Sequence, residues 1–209
     1  ITFENHFGSS LAAPLAHADL IKRGSAQAGC IHEWYTPSKF PLGNFEYVFP
    51  FGPSDYKLLT KAYRQIRTEF PQFEEDEKKE NIKLLMTAPG GEYGFMSKKP
   101  VNSLDDFKGE KVSLVGRYFG RWMPPGVVPV VRPVSERYDM LRNGVVNIDL
   151  LPFEHFYTYK IHEVTKHYIR ANFLVGFYAQ IVMNLEFFKG LTPEIQKIMA
   201  DAGKDVELR

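Results

Sequence analysis

Cys30 and His32 stand two residues apart in a stretch that reads as a strand, so both side chains would fall on one face. A thiol beside an imidazole is the composition of a nucleophile–base pair, and Glu33 adds a carboxylate next to it. One reading is therefore an α/β enzyme using Cys30, His32 and Glu33. Against it, catalytic Cys and His usually meet from distant positions, and a lone cysteine is more often buried and inert. His155, His162 and His167 are spaced by seven and five residues, unlike the close pairs of common metal sites, so no metal and no cofactor is implied. Gly116-Arg117-Tyr118-Phe119-Gly120 follows a strand-like run and opens a helical one. It lacks the lysine and the spacing of a phosphate-binding loop. Its backbone N–H groups, with Arg117 and Arg121, suit an anion or a polar group, and a plain structural turn is the other reading.

The rest of the chain limits what these residues can serve. With 26 basic and 25 acidic residues, the sequence has no charge surplus of the kind that grips a phosphate backbone, and nucleic acid is not expected as a partner. No apolar run of about 18 residues is present, so the chain is not expected to span a membrane itself. A single cysteine excludes an intramolecular disulfide without identifying a compartment. The chain opens on Ile1-Thr2-Phe3-Glu4 with no targeting stretch, so any export signal is expected to have been removed. Seventeen Phe and eleven Tyr exceed ordinary core needs and suit a binding cleft.

Periodicity places the elements. After the turn at Phe51-Gly52-Pro53, Ser54 is a candidate N-cap, and Tyr56, Leu59, Tyr63 and Ile66 repeat at helical spacing. Gln72–Glu80 reads as a short charged helix with a solvated face. A third helix runs over Ser135–Arg142 and stops at Asn143-Gly144. Near the end, Thr192 caps, Pro193 takes the first helical position, and Ile195, Ile198, Met199 and Ala202 form a stripe. Strand-like runs are Ile82–Thr87, Lys111–Val115, Val127–Val131, Val145–Asp149 and Phe177–Leu185. Their alternation with helices predicts an α/β chain with a mainly parallel sheet, and Thr87-Ala88-Pro89-Gly90-Gly91 is the candidate crossover between two lobes.

An ordered series of segments carries further information. It runs from Trp34-Tyr35-Thr36-Pro37-Ser38-Lys39-Phe40-Pro41 and Phe49-Pro50-Phe51 through Ile82-Lys83-Leu84-Leu85, Ser97-Lys98-Lys99-Pro100-Val101 and Ser103-Leu104-Asp105-Asp106-Phe107-Lys108-Gly109. It continues with Pro133-Val134-Ser135-Glu136-Arg137-Tyr138, Gly144-Val145-Val146, Pro152, His162-Glu163-Val164 and Lys166-His167-Tyr168. In this order the series resembles the DctP-type solute receptors of TRAP transporters, over nearly the whole chain. The resemblance implies a two-lobed periplasmic binding protein-like fold with a ligand cleft between the lobes. Lobe I would hold residues 1–90 with 177–209 returning to it, and lobe II residues 91–176. It implies a periplasmic protein that captures a small organic solute and delivers it to the TRAP membrane permease subunits, with no bond made or broken. It also places this chain after the family's first strand–helix unit and before its closing helices. A receptor-fold protein that senses, with no permease partner, is a further alternative.

The resemblance also assigns positions. The family's principal carboxylate-binding arginine falls at Ser113, a second arginine at Tyr93, a polar residue at Leu151 and an aromatic at Val134. A bidentate arginine holds a carboxylate through paired charged hydrogen bonds that a serine cannot reproduce. Either Arg117 or Arg121 substitutes from a shifted position, or the solute is neutral or aromatic, held by stacking and a few hydrogen bonds. Candidate walls are Trp34, Tyr35, Phe119, Trp122 and Phe153, although the plainer reading of most of them is a core role. Glu33 and His32 would meet a donor group, or a cation in the case of Glu33. Trp34 and Tyr93 are expected on facing loops, and Ser113→Arg is expected to hinder the native solute while introducing carboxylate affinity.

Overall fold

The computed structural model describes residues 2–47, 55–114, 116–174 and 177–208. The expected turn at Phe51-Gly52-Pro53, the Ser54 cap, the Phe49-Pro50-Phe51 segment and Val115 lie outside these residues. The chain divides into two units: Ile1–Phe45 with Asp55–Pro89 and Gly176–Arg209, and Glu46–Ser54 with Gly90–Val175.

The first unit is built on a three-stranded sheet. Helix α1 (His17–Lys22) leads into strand β1 (Ala28–Ile31), followed by helices α2 (Tyr56–Glu69) and α3 (Gln72–Lys79) and strand β2 (Ile82–Pro89). Asp55 caps α2, its Oδ1 accepting from Lys57 N at 2.9 Å and Leu58 N at 3.1 Å. A carboxylate there meets both the free N–H groups and the positive end of the helix. One face of α2 buries Tyr63, which packs with Phe73 of α3 and with Phe45, Leu59 and Ile66. A second cluster gathers Ala18, Ile21, Ile31, Phe40, Ile82 and Val182.

In the second unit come strands β3 (Glu92–Ser97), β4 (Lys111–Leu114) and β5 (Val128–Val131), helix α4 (Arg137–Arg142), strand β6 (Ile148–Pro152), helices α5 (Phe153–Thr158) and α6 (Ile161–Val164) and strand β7 (His167–Leu174). Strand β8 (Phe177–Asn184) and helices α7 (Leu185–Lys189) and α8 (Pro193–Leu208) belong to the first unit. The Thr192 cap is present, with its Oγ1 accepting from Ile195 N at 3.4 Å. Gly203 lets α8 lie directly on β2, because a Cβ there would overlap the Leu85 carbonyl. Glu207 completes the seam: its carboxylate takes the Arg64 Nε–H at 2.6 Å and the Thr87 hydroxyl at 2.9 Å.

The sheets correct the expectation of mainly parallel strands. The first has the order β1-β8-β2, antiparallel throughout, and the second β5-β4-β6-β3-β7, in which only the β4–β5 and β4–β6 pairs are parallel. The direction of β8 is set by the route the chain takes back to the first unit, and β1 pairs with it across some 150 residues, a register such as Cys30 against Ile181 that no local pattern encodes. The strand expected at Val145–Asp149 begins instead at Ile148. Val145 and Val146 still close the end of α4, their N–H groups donating to Met140 O. Strands β3 and β7 were not expected at all.

Candidate functional site

The residues singled out on chemical grounds separate into distinct settings. In the first unit, β1 ends at Ile31, so Cys30 and His32 do not share a strand. Burial raises the Cys30 thiol above its ordinary pKa, the reverse of what activates a nucleophile. The His32 ring stacks instead on Trp34, with centroids 4.6 Å apart and planes at 19°, and Tyr35 meets both edge-on. The three aromatics ride on a short 3₁₀ turn, Glu33–Tyr35, held by Tyr35 N donating to His32 O and Thr36 N to Glu33 O. Trp34 itself is 7% exposed.

Glu33 does not face solvent. Its carboxyl is buried, and Gly43 lies so near that a Cβ there would overlap it. Burial, then the repulsion of Glu77, raises its pKa to about 8, with Arg67 opposing and Asp76 adding to the rise. In the unfolded chain the same group titrates near its ordinary value of 4.5. The folded state therefore holds a proton that the unfolded state releases across that window, so the contribution of Glu33 to stability is greatest below about pH 4.5. From there it falls with rising pH, at most by about 1.4 kcal/mol per pH unit, and levels off above pH 8. Glu33→Gln is expected to flatten this slope, as followed by urea midpoints at pH 5, 6.5 and 8; a parallel pH dependence in both proteins would show that Glu33 is not its source.

In the second unit, sheet register decides what can meet. Ser113 pairs with Asp149, Gly94 with Leu151, and Tyr93 with Pro152. Neighbours across strands share a face, so Ser113, Asp149 and Leu151 lie on one face and Tyr93 on the other. Tyr93 accordingly stacks on Phe119, 5.1 Å between centroids, beside the Phe95–Phe107 pair. Tyr93, Ser113 and Leu151 have essentially no accessible surface. The structure thus does not bring Tyr93 together with Ser113 and Leu151.

Ser113 belongs to a charge cluster that sequence reasoning missed. Its hydroxyl donates to Asp149 Oδ1, and the same oxygen receives Arg137 Nη1 at 2.8 Å. Arg137, from α4, also donates to Leu150 O at 3.0 Å and to Arg132 O at 3.3 Å. Arg137 and Asp149 are both 0% exposed. Burial pushes the Asp149 carboxyl up, against the lowering pull of Arg137 and Ser113. Arg137 was visible in the sequence only as part of the Ser135-Glu136-Arg137-Tyr138 segment; periodicity places it on a short helix without showing what it faces.

The remaining candidates are more open. Phe153 is 61% exposed at the start of α5 and meets Tyr168 edge-on at 5.1 Å. Arg117 and Arg121 are exposed, and both lie over the Tyr118 ring, at 5.4 and 5.9 Å. The turn that carries them, Arg117–Trp122, is 3₁₀ rather than an α-helix, and Trp122 on it is half-buried. Val134 is half-buried at the start of the turn before α4. Alongside α4 runs an open groove of roughly 330 Å³ lined by Ser135, Glu136, Asp139, Met140, Asn143 and Val145, none of them an expected site residue. Among the described residues no His/Cys/Asp/Glu group could hold a metal ion, and no helix is long and apolar enough to cross a membrane.

Comparison with known proteins gives a consistent outcome. The family described as DctP, bacterial extracellular solute-binding protein, family 7, matches residues 1–209. A curated relative, the ectoine/5-hydroxyectoine-binding periplasmic protein UehA of Ruegeria pomeroyi, is 24% identical over 170 residues, covering 80% of this chain and 50% of that protein. The solved structure of DctP7, a Bordetella pertussis extracytoplasmic solute receptor binding pyroglutamic acid, superposes with a TM-score of 0.82 at 24% identity, over 96% of this chain and 65% of that one. The periplasmic ectoine-binding protein of the Halomonas elongata TeaABC TRAP transporter gives 0.81 at 20% identity, over 93% and 63%. The chain therefore spans about half the length of the curated relative and under two thirds of these solved chains.

Proposed function

Because the chain belongs to the bacterial extracellular solute-binding proteins of family 7, we propose that it is the solute-capturing part of a TRAP-type periplasmic receptor. It takes up a small organic solute and presents it to the membrane permease subunits. The family match along the whole chain carries this reading, and the mixed α/β fold shared with solved TRAP receptors supports it. The two compact units stand for the receptor's two lobes. The Cys30–His32–Glu33 enzyme reading finds no support, since the thiol is not activated, the imidazole is stacked and the carboxyl is enclosed.

The solute is neutral or zwitterionic with an apolar or aromatic body. The serine hydroxyl at position 113 and the nearby Arg137 are both committed to Asp149, so neither offers the forked clamp that a lone carboxylate needs. Each unit offers its own candidates for solute contact: Trp34 in the first, and Trp122 and Phe153 in the second. Arg117, exposed and stacked on Tyr118, supports a second reading in which a carboxylate is held from a shifted position.

Calorimetry with ectoine, pyroglutamate, D-galacturonate and succinate tests these readings. The expected result is saturable binding of the zwitterion ectoine in preference to the carboxylate anions pyroglutamate, D-galacturonate and succinate, with the solute recovered unchanged. Tight binding of succinate would overturn the solute assignment, and chemical conversion of any probe would overturn the receptor reading. If a carboxylate binds, its loss in Arg117→Ala identifies the second reading.

A further inference from the structure

The Glu33 carboxyl is a buried acid with no ion-pair partner among the described residues. Among the described residues its Oε2 has no hydrogen-bond partner, and neither does Asn44 Oδ1, an acceptor buried in the same loop region. Asn44 is nonetheless anchored there: its Nδ2 donates to Glu33 O at 3.3 Å and to Phe40 O at 2.7 Å. Among the described residues, the charged groups that act on Glu33 come from two helices. From α2 there is Arg67, and from α3 there are Glu77 and Asp76. The one cation is already engaged, because Arg67 is ion-paired with Glu77 and lies over the Tyr63 and Phe73 rings at 5.6 and 5.2 Å. Asp76 is paired outward with Lys79 at 3.0 Å. An ionised Glu33 would thus be a bare charge between two carboxylates and a spent guanidinium, pressed against Gly43 with no room for a hydration shell.

Glu33 is also the first residue of the turn that carries Trp34 and Tyr35, with His32 immediately before it. Its backbone carbonyl is a closing contact of that turn, accepting from Thr36 N and from Asn44 Nδ2. The enclosed carboxyl and the stacked His32–Trp34 pair are thus carried by one short turn, so a shift of the Glu33 backbone is felt by both.

We propose that Glu33 is a positioning residue: its protonated carboxyl seats the His32–Trp34–Tyr35 turn, and loss of that proton unseats it, so that solute capture by this turn is linked to a proton. The solute clause rests on the receptor reading above; the proton linkage does not. The protonated acid fits the loop as a neutral donor–acceptor group, and its hydroxyl is a donor in a region that also buries the Asn44 Oδ1 acceptor. Once ionised, it seeks water, and the route to water is outward movement of the turn.

Tryptophan emission reads this directly, because the chain has two tryptophans and Trp122→Phe leaves Trp34 as the sole reporter. The expected result is a transition in Trp34 emission centred near pH 8, absent from the same protein carrying Glu33→Gln. A purely structural role would lower the melting temperature of the Gln variant and leave the pH profile unchanged. If that variant does not fold, the parent protein decides: with ¹³C-labelled glutamate, a protonated-carboxyl infrared band should be present at pH 6.5 and lost by pH 9.5. Flat emission from pH 6 to 10, an identical transition in the Gln variant, or no such band at pH 6.5 would overturn the proposal. Failure of all four solute probes to bind would sink the receptor reading and leave the titration intact; a flat titration would leave solute capture untouched.

Discussion

Arg137→Met is expected to lower the unfolding free energy of the protein by roughly 3–5 kcal/mol, the range for removing one partner of a buried ion pair. Asp149 would keep only the Ser113 hydroxyl and the Leu150 backbone N–H as donors, while its charge stayed in a place with no access to water. The carbonyls of Leu150 and Arg132 would each lose their guanidinium donor. The damage would spread because the cluster ties three adjacent strands to a helix: Ser113 lies on β4, Asp149 on β6, Arg132 just past the end of β5, and Arg137 on α4. Urea unfolding measures the loss from the shift in midpoint at constant slope. The double variant Arg137→Met/Asp149→Leu should recover most of it, since a matched apolar pair removes the uncompensated charge as well as the attraction. A single variant within 0.5 kcal/mol of the parent, a margin typical of uninvolved surface positions, would show that the pair is not a structural clamp.

Ser113→Arg is expected to be still more damaging, at about 4 kcal/mol or above, and to gain no carboxylate affinity. This reverses the sequence-based expectation for the same substitution. Position 113 has no accessible surface, and its neighbours are a carboxylate already shared with a buried guanidinium. A second guanidinium must therefore be both accommodated and desolvated where one carboxylate has already been used. Thermal unfolding should show a large fall or a loss of soluble protein, while Ser113→Ala should remain folded and lose about 1 kcal/mol, one hydroxyl hydrogen bond. A Ser113→Arg protein that melts with the parent and binds succinate in a calorimeter would overturn this reading and restore position 113 as an anion subsite.

Much of the secondary structure was legible locally. The α2 stripe Tyr56, Leu59, Tyr63 and Ile66, the Thr192-Pro193 helix start and the Phe177 strand came out close to expectation, because each depends on residues within a few positions of one another. Register was not legible. Whether Ser113 meets Asp149, and whether Tyr93 shares their face, depends on pairings between strands that lie between 36 and 59 residues apart, and a one-residue slip would reverse each answer. Strands β3 and β7 are illegible for a related reason: Gly94 and Arg170 weaken their apolar signal, and their partners supply what the local sequence lacks.

For the candidate site the division is sharper. By itself, the sequence determined the family through the ordered segments from Trp34 to Tyr168, and it determined that the arginine expected at position 113 is a serine. These are statements of residue identity and order, which a linear chain contains in full. Only the tertiary structure decided that Ser113 serves Asp149 and Arg137, that Glu33 is an enclosed acid and that Cys30 is a quiet thiol. Charge state and availability are set by desolvation and by the groups brought within a few ångströms. Residues such as Gly43, Glu77 and Arg137 reach those positions only when the chain is folded.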